Sequence, residues 1–155
     1  MADYLCSWLI RAAMLVGVLL AGCAGVGRQP AAPELRETRY GLVRGVNDSA
    51  ASGTYVWKGI PFARPPVGDL RWQPPVAPEA WQGERDATRF GQACLQIGRI
   101  YGPGANNRFD ETIGQTLNTP VGSEDCLTLN IWRPANAQAQ LPVLLFLHGG
   151  SAISG

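Results

Sequence analysis

Apolar residues are arranged along the chain in several distinct patterns. Residues 12 to 27 carry no charge and lie between Arg11 and Arg28. Glu37 to Val46 and Thr54 to Ile60 mix apolar and polar positions around a turn of Asn, Asp, Ser and Gly at 47–53, which predicts a small antiparallel hairpin. Leu127, Leu129 and Ile131 alternate with Thr128, Asn130 and Trp132, and this period of two predicts a strand. Val143 to Leu147 is an unbroken apolar run between Pro142 and the sequence His148-Gly149-Gly150. That run predicts a strand buried on both faces, in the middle of a sheet covered by helices.

The intervening segments read as ordered but irregular. Residues 61 to 83 are rich in proline and contain Trp72 and Trp81. Proline fixes φ and removes a donor, so an extended crossing packed through its aromatic rings is expected. Gln96 to Gly122 is rich in Gly, Asn, Pro and Thr, with Tyr101 and Phe109 as its only aromatics. It predicts a long surface loop, and loops of that length in a compact domain are usually functional or mobile.

Composition narrows the function classes. Nineteen Gly and twelve Pro make up a fifth of the 155 residues, which argues for short elements and against a helical bundle. Thirteen Lys and Arg oppose twelve Asp and Glu, so there is no basic excess for a phosphate backbone and no nucleic-acid partner is expected. His148 is the only histidine, which excludes a mechanism needing a His base and a separate His ligand.

The uncharged run at 12–27 is shorter than the ~20 residues of a spanning helix and reads as a secretory signal. Its end, Leu20-Ala21-Gly22-Cys23, resembles a bacterial lipobox, in which the cysteine is lipidated. An ordinary cleaved signal and an uncleaved anchor are the other readings. The lipoprotein reading makes 1–22 the signal peptide and 23–36 a flexible tether. It places the protein in the bacterial cell envelope, held on a periplasmic or extracellular membrane face. Cys6 then leaves with the signal and Cys23 carries lipid, so Cys94 and Cys126 remain. In an oxidising compartment such a pair is expected to bridge; two free thiols are the alternative.

The chemistry-bearing sequence is Leu147-His148-Gly149-Gly150-Ser151. A strand ending in His-Gly-Gly places bare backbone N–H groups at the carboxyl edge of a sheet, where α/β folds bind ligands. Read alone, it is equally a strand-terminating turn. No serine has glycine at both −2 and +2, no Ser-x-x-Lys is present, and the cysteine spacing offers no zinc site. Phosphate-binding glycine motifs are also absent, so neither metal nor cofactor is expected.

Four segments, in order, carry a family likeness. They are Trp57 to Trp72 (Trp-Lys-Gly-Ile-Pro-Phe-Ala-Arg-Pro-Pro-Val-Gly-Asp-Leu-Arg-Trp), Phe90-Gly91-Gln92-Ala93-Cys94, Ser123-Glu124-Asp125-Cys126-Leu127, and the His-Gly-Gly corner. With these the chain resembles the type-B carboxylesterase (cholinesterase-like) family of α/β hydrolases, from about Tyr40 to Gly155. The resemblance implies an α/β fold in which 37–155 is the N-terminal part of an α/β-hydrolase domain: a β-hairpin, a long disulfide-pinned loop and the first strands of the central sheet. It implies a Cys94–Cys126 disulfide and an ion pair between Arg71 and Glu124. The oxyanion donors it implies are the backbone N–H groups of Gly150 and Ser151, with Ser151 standing where a third glycine is common. His148 belongs to that wall and is not expected to act as a base.

The family's Gly-x-Ser-x-Gly nucleophile, acid and distant His have no counterpart in these 155 residues. The expectation is an N-terminal fragment of an exported carboxylic-ester hydrolase, without triad-dependent activity of its own. A non-catalytic, cholinesterase-like surface binding lipoprotein is the alternative. The substrate implied for the parent is a small carboxylic ester. The absence of Trp from 95–121 points away from quaternary-ammonium esters.

Overall fold

A computed structural model describes residues 32–138, 140–151 and 153. The signal, Cys23 and most of the tether lie outside the described residues. The first strand, β1 (Leu35–Thr38), starts two residues inside the expected tether.

The hairpin expected over 37–60 is two hairpins. β1 pairs antiparallel with β2 (Gly41–Arg44), with Leu35 opposite Arg44 and Thr38 opposite Gly41. The reversal is held by Thr38, whose Oγ1 donates to Gly41 O at 2.8 Å and accepts the Tyr40 N–H at 3.1 Å. Gly41 sits at φ +141°, and a Cβ there would lie 2.6 Å from the Trp81 ring, so no larger residue fits. β3 (Val46–Asp48) then pairs with β4 (Thr54–Pro61), Asp48 opposite Thr54. The predicted Asn-Asp-Ser-Gly turn closes this second pair: Asp48 O accepts the N–H groups of Ala51 and Ser52, and Asn47 Oδ1 accepts that of Ser49.

β4 continues into a three-stranded antiparallel sheet with β8 (Thr128–Pro134), the strand predicted by alternation. The register shifts between Trp57 and Ile60. Gly59 takes φ +67° there and donates its N–H to Asn130 Oδ1 at 2.9 Å; a Cβ at 59 would lie 2.9 Å from Arg89 O and Gly91 N. At the same bulge the Lys58 N–H turns to Ala87 O at 2.8 Å, and Ala87 in turn donates to Arg44 O at 2.8 Å. The other sheet, β1-β2-β5, includes the parallel strand β5 (Glu84–Asp86). β4 is therefore stitched to it through Ala87.

A small core fills the space beside this stitch. Val43, Trp57, Ile60 and Ala87 are buried, with Tyr55 and Trp81 packed against them. Both indoles satisfy their N–H groups on backbone: Trp57 Nε1 donates to Glu34 O and Trp81 Nε1 to Leu42 O, each at 2.7 Å. The proline-rich crossing contains one 3-10 turn (Gly68–Leu70) and is otherwise irregular. Only one of its two indoles packs inward; Trp72 is fully exposed, at φ +60°.

The largest departure is Val143–Leu147. It forms no strand, and its residues are 78% to 92% exposed instead of buried on both faces. A buried strand needs hydrogen-bonded neighbours and covering layers, and the described residues supply neither: β8 is bonded to β4 alone. For the same reason β8 leaves Leu129, Ile131 and Trp132 exposed. Among the described residues there is no α-helix, and none long and apolar enough to cross a membrane.

Candidate active site corner

The segment from Cys94 to Cys126 is a closed, internally bonded loop. Its neck is joined by the Cys94–Cys126 disulfide, with Cα atoms 5.0 Å apart. β6 (Gln96–Ile97) pairs with β7 (Pro120–Val121) just beyond the disulfide. Asn107 adds a cross-tie inside the loop: its carbonyl accepts the Ala93 N–H at 2.7 Å and its Oδ1 accepts the Gly122 N–H at 2.8 Å.

Further turns pack the loop interior. Thr116 Oγ1 donates to the carbonyl of Pro103, a fully buried residue, at 2.7 Å. Asp110 accepts from the hydroxyl and backbone N–H of Thr112 and from the Asn106 amide. Those donors, the Thr112 hydroxyl foremost, hold its carboxyl below the usual aspartate range. The length of this loop is therefore compensated by polar cross-links, which the Asn-, Thr- and Gly-rich sequence provides.

The His-Gly-Gly corner is a tight turn in which Gly150 O accepts the Ile153 N–H at 3.1 Å. Gly150 has φ +125° and Ser151 φ +56°. The serine thus occupies the left-handed region that favours glycine. Among the described residues the Ser151 N–H makes no hydrogen bond. His148 is exposed, and its Nδ1 lies 2.7 Å from the Gly149 carbonyl.

Loop and corner meet around an open cavity of about 400 Å³ lined by Gln96, Arg99, Ile100, Tyr101, Gly102, Phe109, Gly149 and Gly150. That volume lies within the range of small-molecule sites. Of the two oxyanion candidates Gly150 is on the wall, while Ser151 is not among the lining residues. The two loop aromatics noted in the sequence, Tyr101 and Phe109, both reach the cavity. Arg99 and Ile100 were not singled out; the one signal in the sequence was adjacency to Tyr101.

Arg71 and Glu124 are brought together across 53 positions of sequence. Arg71 Nε donates to Oε1 and Nη2 to Oε2, each at 2.5 Å. The pair holds the Glu124 carboxyl below its ordinary range and raises Arg71. This fork ties the proline-rich crossing to the residue two before Cys126. No group of His, Cys, Asp and Glu among the described residues is arranged to hold a metal ion.

Comparison with known proteins assigns the fold. The profile of the carboxylesterase family matches residues 32–155. The chain is 41% identical over 155 residues to pyrethroid hydrolase Ces2a of Mus musculus, covering 96% of this chain and 26% of that protein. It is 38% identical over 159 residues to the fumonisin B1 esterase of Sphingopyxis macrogoltabida, with the same two shares. Among solved structures it superposes on a PNB esterase with a TM-score of 0.62 at 34% identity, covering 79% of this chain and 22% of that one. A Geobacillus stearothermophilus carboxylesterase gives a TM-score of 0.57 at 39% identity, covering 79% and 21%. These esterases have the α/β-hydrolase fold, of which the described residues form a sheet-rich part. The chain spans about a quarter of the length of the curated relatives. By its sequence profile and its relatives, it belongs to the carboxylesterase family.

Proposed function

We propose that this chain is the N-terminal portion of an exported, lipid-anchored carboxylic-ester hydrolase, to which it contributes the oxyanion-stabilising corner. The observation carrying this reading is the cavity that Gly149 and Gly150 share with the disulfide-pinned loop. A backbone amide at such a corner would receive the negative charge that develops on the carbonyl oxygen during acyl transfer. One well-aimed donor of this kind contributes ~2.7–4 kcal/mol to the transition state. The named relatives, a pyrethroid hydrolase and a fumonisin B1 esterase, support a small-molecule ester as substrate.

In this reading the serine nucleophile, its acid and its histidine belong to sequence outside the 155 residues, since no serine here has glycine at both −2 and +2. Cys23 carries the lipid, and 1–22 is the leader that directs export. The test is labelling with a fluorophosphonate. The 155-residue chain is expected to remain unlabelled, whereas the product of the reading frame extended through a Gly-x-Ser-x-Gly and a late His is expected to take one equivalent. A stoichiometric serine adduct on the 155-residue chain would overturn the division of labour. An extended frame lacking both motifs would favour a non-catalytic binding lipoprotein.

A further inference from the structure

Resting on the esterase reading above, we propose that Arg99 selects esters bearing a second, negatively charged group, with half-esters of dicarboxylic acids as the substrate class. Among the described residues Arg99 is the only charged one lining the cavity. Among the described residues its guanidinium has no hydrogen bond or ion pair, whereas several other charged groups are engaged. Arg108 Nε donates to Phe90 O at 3.0 Å, Asp110 is held by Thr112 and Asn106, and Arg71 and Glu124 hold each other. The Arg99 carbonyl accepts the Gly102 N–H at 2.8 Å, so a tight turn fixes the backbone from which the side chain projects.

The remaining lining suits the body of such a molecule. Ile100, Tyr101 and Phe109 present apolar surface for a short methylene spacer. An arginine keeps its charge at every working pH and offers a planar fork matched to a carboxylate. The cavity thus handles negative charge in two ways: backbone amides at the corner for the transient oxyanion, and Arg99 for a permanent carboxylate. A neutral ester would use only the former.

The test compares p-nitrophenyl hydrogen glutarate with p-nitrophenyl hexanoate on the complete enzyme encoded by the reading frame. Wild type is expected to favour the anionic ester. Arg99→Gln is expected to lower kcat/KM for that ester about tenfold, chiefly through KM, and to lower that for hexanoate much less, with labelling by one equivalent of fluorophosphonate as the control for folding. Arg99→Lys is expected to retain most of the preference. An unchanged ratio in Arg99→Gln, with hexanoate still cleaved, would overturn the selector and leave the esterase reading standing. Failure to cleave either ester, with no serine labelled by fluorophosphonate, would overturn both.

Discussion

Arg71 grips Glu124 through two parallel hydrogen bonds of 2.5 Å, and so joins the proline-rich crossing to the neck of the disulfide loop. Both side chains are partly exposed, and solvent screens the attraction between them. The contact positions the neck more than it stabilises the fold.

Removing it should therefore have a small, pH-dependent effect. Arg71→Ala is expected to lower Tm by no more than about 3 °C near neutral pH. The folded Glu124 carboxyl titrates below its unfolded value, so its contribution is complete above the ordinary glutamate range. It disappears as pH falls through the lower, folded value. Wild-type and variant melting curves, recorded by circular dichroism from pH 7 down to about 3, should converge at the acid end.

The disulfide should matter much more. It closes 32 residues, a loop for which chain entropy predicts about 3.7 kcal/mol of stabilisation. A Cys94→Ser, Cys126→Ser double variant is expected to lose up to that amount in urea titration. Limited trypsin digestion should then cut after Arg108, whose side chain is tied to Phe90 beside the Asn107 cross-tie in the oxidised loop.

Ser151 holds a conformation better suited to glycine. Ser151→Gly is expected to stabilise the corner by about 1 kcal/mol, because a Cβ in the left-handed region is disfavoured by roughly that amount. Urea titration of wild type and variant measures the difference.

The run Val143–Leu147 is exposed, and an apolar patch of this kind is expected to drive self-association of the 155-residue chain. Leu145→Lys is expected to raise the soluble fraction several-fold and to reduce binding of a hydrophobic dye. Sedimentation velocity would show whether the variant shifts from large species toward monomer.

Local chemistry made much of this architecture legible. Asn47, Asp48, Ser49 and Gly53 announced the β3–β4 turn because their side chains and φ range favour reversal. Period-two alternation over 127–132 announced β8. The split of 37–46 into β1, β2 and the start of β3 was harder, since it depends on Thr38 capping a turn and on Gly41 meeting a tryptophan forty residues away. Val143–Leu147 has the pattern of a central strand, but pairing partners make a strand, and pattern alone cannot supply them. At the site, Gly149, Gly150, Tyr101 and Phe109 were visible as residue types, whereas the convergence of Arg99 on the same cavity is a product of how the loop folds back.

The bulge at Lys58 and Gly59 has a mechanical consequence. One β4 amide is bonded across to Ala87, so neither three-stranded ribbon can shear or peel without straining the other. A displacement at the β1 edge is thereby coupled to β4 and, through the ladder the two share, to β8.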